Sequence, residues 1–232
     1  MDFRGYRFGL APAEFVYTAT GTGHPEQPGA GPSWRVFHDP TAPSPPLVLV
    51  HAGTGSQRLS DFPLAILRWP SVRDGVVAVL IKPMGGWVDQ SAGLVWRART
   101  PGDYYAATVD PLDDHLRLFA MTHGRGRMLA VVPVAIDVEF ERRTPSPTRG
   151  WYALAVWTHG AEIRVAVQGR VLIDVTDHTL LQPGRVGLIT HADATAEFDD
   201  LEVTSGSDGT RPQLLLERAA PRPAAGRTQP PA

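Results

Sequence analysis

The 232-residue chain contains no cysteine, and that absence excludes a disulfide framework, thiolate metal sites and cysteine nucleophiles together. Long apolar runs are missing too. A membrane-spanning helix needs roughly 18 apolar residues in a row, whereas the oiliest pieces here, such as Leu47 to Val50, are strand-sized. No excess of positive charge exists: 22 Lys+Arg stand against 24 Asp+Glu, a formal charge of −2. Neither nucleic acid nor a membrane is therefore an expected partner, since both need concentrated cationic or apolar surface. The first residues include Asp2, Arg4 and Arg7 rather than the apolar stretch of a secretory leader. As written the chain is expected to be cytoplasmic, and secreted only if a leader has been trimmed from it.

Several catalytic signatures are also lacking. The eight histidines show no His-x-x-x-His pair, which disfavours a zinc enzyme. There is no Gly-x-Ser-x-Gly elbow for a serine hydrolase. Gly21-Thr22-Gly23 lacks the following Lys and helix of a phosphate loop. No segment carries a long 3.6-residue apolar period, so helices are not expected.

What is abundant is turn chemistry, with 23 Gly and 22 Pro, between short alternating runs. Strand signals recur from Phe15 to Val203 at eight- to twelve-residue spacing, the pattern of an antiparallel sandwich. The clearest unit runs from Trp151 to Val175, where His159-Gly160 and Gln168-Gly169 supply the positive-φ positions of tight hairpins. In it Leu154, Val156, Ile163, Val165 and Val167 share a dry face, as one layer of a sandwich requires. The fold class is therefore all-β. Residues 1–205 form the expected sandwich, and 206–232 an expected Pro-, Arg- and Ala-rich, mostly disordered tail.

Two acidic clusters and one strand invite a catalytic reading. Asp110, Asp113 and Asp114 sit beside His115 and Arg117 in a turn, where carboxylates and a histidine could serve as acid and base. Asp in turns is explained equally well by hydrogen bonds to nearby amides. Asp193, Asp199, Asp200 and Glu202 near the closing strand raise Ca²⁺ as a candidate ion, but the Asp-x-Asp-x-Asp-Gly loop is absent; pairing with Arg185 or Arg97 is the ordinary alternative. Asp137, Glu139 and Glu141 alternate along one strand face. Ala135 stands where the Glu-x-Asp-x-Glu strand of jelly-roll endoglucanases has its nucleophile, which leaves retaining hydrolysis without an attacking group.

Rings are the better functional signal, because sugar C–H faces stack on aromatics while polar neighbours bond the hydroxyls. The chain offers Trp34, Trp87, Trp96, Tyr104, Tyr105, Trp151 and Trp157. Alternation puts Trp96 with Leu94 and Arg97 with Val95, and forces Tyr104 and Tyr105 onto opposite faces.

The order of these pieces resembles a known family. Lys82-Pro83, Asp89-Gln90, Gly93-Leu94-Val95-Trp96-Arg97, Asp103-Tyr104-Tyr105, Asp110-Pro111-Leu112-Asp113-Asp114 and Pro183-Gly184-Arg185-Val186-Gly187-Leu188 follow one another as in the 3-keto-disaccharide hydrolase domain. So do His191-Ala192-Asp193 and Phe198-Asp199-Asp200-Leu201. The resemblance implies a concanavalin A-like jelly roll of two curved antiparallel sheets, the concave one able to meet a sugar. It implies a carbohydrate or glycoside partner and no resident cofactor. The expected ligand contacts are Trp96, Arg97, Tyr104, Tyr105, Arg117 and His191, with Asp110, Asp114, His115 and Asp193 as candidate acid or base groups. Carbohydrate binding leads; a glycoside hydrolase acting on 3-keto-disaccharides and a laminin-G-like protein-interaction module are the alternatives.

Overall fold

In the computed structural model, residues 1–21, 33–53, 58–134 and 150–206 are described. The Gly-rich loop around Thr22, the Asp137–Glu141 strand and the tail beyond Gly206 fall outside them.

Fourteen strands and no helix make up the described chain. They are β1 (Phe15–Thr20), β2 (Trp34–His38), β3 (Leu47–His51), β4 (Phe62–Val72), β5 (Gly75–Gly85), β6 (Ala92–Thr100) and β7 (Asp103–Asp110), followed by β8 (His115–Thr122), β9 (Arg125–Pro133), β10 (Tyr152–His159), β11 (Glu162–Val167), β12 (Arg170–Thr176), β13 (Gly184–Thr190) and β14 (Thr195–Ser205). They form two seven-stranded sheets, ordered β1-β4-β13-β6-β7-β8-β9 and β12-β11-β10-β5-β14-β3-β2. Every pairing is antiparallel. The layered sandwich follows from the alternation, since each strand must bury one face against the other sheet.

The inward faces meet in one core that joins Leu94, Trp96, Tyr105, Leu118, Leu154, Val165, Leu188 and Phe198. Trp96 and Tyr105 stack there at 5.7 Å. The first sheet is apolar on its outward face as well. Leu64, Val95, Tyr104, Ala106, Phe119, Met121 and Ile189 form a second buried cluster there. A hairpin sits where expected: Gln168 (φ 49°) and Gly169 (φ 78°) are both left-handed, the geometry of a type I′ turn matched to strand twist.

On the outward face of the second sheet, Lys82 Nζ lies 2.7 Å from Asp39 and 3.0 Å from Glu197, 5.7 Å above the Trp151 ring. At the strand ends farthest from β6's first residue, Arg97 takes a left-handed backbone (φ 49°) where the β6–β7 register shifts. The bulge turns its side chain into the space between the two sheets' loops.

Candidate functional site

Strand register assembles a polar cluster on the outward face of the first sheet. Ile189, Gly93, Thr108 and Arg117 stand side by side across β13, β6, β7 and β8. Gly93 is required there, because a Cβ would come 1.9 Å from the Ala107 carbonyl oxygen. One step towards the strand ends, Asp110 faces His115, and His191 follows β13.

Five charged or ionisable side chains gather at this end. Asp110 Oδ2 accepts from Arg117 at 3.0 Å, and its Oδ1 caps the Leu112 amide at 2.9 Å. Arg117 also reaches Asp113. His191 Nδ1 lies 2.7 Å from Asp89 Oδ2, and its Nε2 lies 2.9 Å from the Leu59 carbonyl. The His191 ring stacks on Phe62 at 4.4 Å, and Phe62 contacts Phe119. Polar groups thus continue directly from the apolar outward cluster.

The two buried carboxylates of this cluster differ in proton affinity. Burial pushes Asp110 up, and the nearby negative charge of Asp89 adds to that. Burial also opposes ionisation of Asp89, but the bond and charge of His191 outweigh it and hold Asp89 down. Environments that push two carboxyls apart set up an acid and a base.

Asp193 holds the neighbouring loop. Its carboxylate accepts the amides of Trp87, Val88 and Asp89 at 2.7, 3.1 and 3.2 Å, so it shapes residues 86–91. That loop holds Asp89 towards His191 and leaves Trp87 96% exposed. A large ring fully in water, two residues along the loop from Asp89, is the kind of surface on which a sugar stacks.

The expected contacts therefore divide. Arg117, His191 and Asp110 come together, with His115 beside them and Asp114 exposed in the same turn. Tyr104 and Tyr105 do point to opposite faces, but both are fully buried, so neither is open to a ligand. The Tyr104 hydroxyl bonds Thr20 at 2.7 Å. The Tyr105 hydroxyl bonds Asp177 at 2.6 Å and receives the Leu180 amide at 3.0 Å. Trp96 lies in the inter-sheet core. Arg97 is 1% exposed, and its guanidinium is committed to Arg73, Leu180, Gly160 and Asp74. Trp96 and Tyr105 stack between the sheets, Tyr104 is buried in the outward apolar cluster, and the bulge turns Arg97 away from the face.

Two residues of this end were named in the sequence but not singled out as site residues. Asp89 stands in a loop, where no periodicity marks a partner, and Trp87 is one ring among many. The Asp193, Asp199, Asp200 and Glu202 cluster does not converge. Asp193 binds the loop, whereas Asp199 accepts the Ser44 and Asp200 amides at 2.7 and 2.8 Å. Neither uses an arginine in those bonds. Among the described residues no group of three or more His, Asp or Glu side chains is arranged to hold a metal ion, and no helix is long and apolar enough to cross a membrane.

The two antiparallel seven-stranded sheets form a jelly-roll sandwich. The carbohydrate-binding module CBM66 from Bacillus subtilis is similar, with TM-score 0.56 and 19% identity over 82% of this chain and 95% of that one. So is a native glycosidic hydrolase, with TM-score 0.50 and 9% identity over 84% and 91%. The GH43 protein BlXynB from Bacillus licheniformis matches with TM-score 0.50 and 13% identity over 75% of this chain and 37% of its own. No protein-family model matches the chain, and no curated protein does.

Proposed function

We propose that this chain binds carbohydrate at the Asp89, His191, Asp110 and Arg117 end of the first sheet's outward face. The observation that carries the reading is the 96% exposure of Trp87 on the same loop as Asp89. The ring offers a stacking platform, and the paired charges offer donors and acceptors for hydroxyls. The charges are balanced in pairs, which suits a neutral sugar. The similarity in fold to CBM66 agrees with this class of ligand without choosing the sugar.

A second reading is glycoside cleavage, as the 3-keto-disaccharide hydrolase resemblance implies. The opposite shifts of Asp110 and Asp89 support it, with Asp110 as acid and Asp89 as base.

A glycan array, followed by calorimetry on the best binder and a turnover assay on 3-keto-glucosides, tests both. Binding is expected, and Trp87→Ala is expected to weaken it ~10-fold or more with folding intact, since one aromatic contact contributes about 1 kcal/mol beyond its buried area. An array without binders, or a Trp87→Ala protein of unchanged affinity, sinks the binding reading. Turnover that Asp110→Asn abolishes establishes the enzyme instead. Neither binding nor turnover leaves the laminin-G-like protein-interaction role.

A further inference from the structure

His191 is held at both ring nitrogens by groups that only accept. Nδ1 faces the Asp89 carboxylate at 2.7 Å, and Nε2 faces the Leu59 carbonyl at 2.9 Å. A neutral imidazole carries one N–H and cannot satisfy both; the imidazolium carries two. The ring thereby ties two segments that border the proposed carbohydrate site. One is the 86–91 loop bearing Asp89 and the exposed Trp87. The other precedes β4 and bears Leu59, itself 64% exposed.

We propose that His191 is a protonation-dependent latch, whose imidazolium holds the Leu59 segment against the site and whose deprotonation releases it, making ligand capture pH-dependent. This rests on the carbohydrate reading only for its effect on binding.

On losing a proton the ring keeps Nδ1–H on Asp89, the stronger, ionised acceptor. Nε2 then turns a lone pair onto the carbonyl oxygen of Leu59, and that contact becomes repulsive. Release is bounded on the chain's far side, because the Ala192 amide donates to the Asp61 carbonyl at 2.9 Å. The flat stack on Phe62 favours the cation further.

The charged groups around the ring set its titration. Burial opposes the charge, Asp89 restores it through both hydrogen bond and field, the Leu59 carbonyl adds to it, and Arg117 from β8 works against it; the net direction is upward from 6.5. Asp110 lies behind Asp89. Asp61 precedes β4, and Asp193, two residues from His191, is bonded to the loop amides. The latch is closed in acid and opens as pH rises through the raised folded value.

Nitrogen-15 NMR of the free protein between about pH 5 and 9 reads the latch without any ligand. Both His191 nitrogens are expected to be protonated at acid pH, with a midpoint above 6.5. The Leu59 carbonyl and the Ser60 amide are expected to shift with the same midpoint. Affinity for the best array glycan is expected to fall ~10-fold across it, the coupling of a typical two-state switch. His191→Gln, which retains a donor but does not titrate, is expected to flatten both profiles. A His191 neutral throughout, a Leu59 segment blind to its titration, or a His191→Gln protein that keeps the wild-type profile overturns the latch. A latch that titrates as stated in a protein that binds no glycan at any pH overturns the carbohydrate reading alone.

Discussion

Replacing Lys82 by Met is expected to cost about 3–5 kcal/mol of folding stability at neutral pH, the usual result of stranding buried charge. Lys82 and Asp39 are 6% and 7% exposed in their side chains, and Glu197 is 12% exposed. The ammonium is therefore the cation that lets two carboxyl groups lie side by side under the β2–β3 loop. The two share the site unequally. Burial opposes the charge on Asp39, but bonds from Lys82 and Thr41 outweigh it and hold Asp39 well below the usual carboxylate range. Glu197 is pushed up to about 7, by burial first and then by its bond to Asp39.

The Asp39 contribution is present above its unfolded value and is lost in strong acid. The Glu197 contribution is present below its unfolded 4.5 and is lost as pH rises through about 7. That loss is about 3 kcal/mol. Glu197→Gln mimics the protonated side chain, so it is expected to remove this slope and to equal or exceed the wild type above pH 7. In Lys82→Met both carboxyls would resist ionising. Its deficit is then largest near pH 8 and shrinks towards pH 4–5. Urea unfolding across pH reads all three proteins. A Lys82→Met protein within about 1 kcal/mol of wild type, with the same pH profile, would show that the pair holds nothing together; if Lys82→Met does not fold, the Glu197→Gln slope decides.

That triad also shows where sequence reading stops. Lys82, Asp39 and Glu197 each stand in a different part of the chain, and nothing local marks any of them as a partner of the others. The strands were legible because a half-buried strand must alternate, and all fourteen lie where alternation and turn residues place them. The opposite orientation of Tyr104 and Tyr105 was legible for the same reason. Their accessibility was not, since the outward face of the first sheet is itself apolar and buried around Leu64, Val95 and Phe119. Alternation reports which face a side chain takes, not whether water reaches that face. Asp110 and Arg117 could be paired from the sequence because one hairpin joins them. Asp89 could not, because only the Asp193 cradle on the 86–91 loop brings it to His191.

The sandwich uses its two ends differently. At the Arg97 end, polar side chains are consumed by backbone. Tyr105, Asp177 and Arg127 form one chain of bonds with the 177–180 loop. At the other end, Asp89, Asp110, Arg117 and His191 pair with one another next to an exposed ring. There the part-exposed members are Arg117 and His191, with 23% and 17% of their side chains open to solvent, and their buried partners Asp110 and Asp89 hold them in place.

Arg97→Met is accordingly expected to cost about 3–5 kcal/mol, as for the removal of one partner from a buried charged network, while affinity per folded molecule stays unchanged. The guanidinium donates to the Arg73, Leu180 and Gly160 carbonyls at 2.9, 2.9 and 2.7 Å and to Asp74 at 3.3 Å. Those acceptors come from the β4–β5 turn, the β12–β13 loop and the β10–β11 turn, so one planar fork ties together loops from both sheets. Met fills the volume but leaves three carbonyls and a carboxylate facing a side chain with no donor. Each orphaned acceptor costs about 1–3 kcal/mol. Because Asp74 also receives the Gly160 amide at 2.7 Å, part of the network survives, which keeps the total below the sum of its parts. Arg97→Lys retains the charge but not the fork, and is expected to lose about half as much. Against a domain's usual 5–15 kcal/mol, Arg97→Met leaves a protein folded at 25 °C with a much lower urea midpoint. The two readings of this residue separate cleanly. A structural clamp lowers the midpoint and spares glycan affinity, whereas a ligand contact does the reverse, and a stable Arg97→Met protein that no longer binds would return Arg97 to the site.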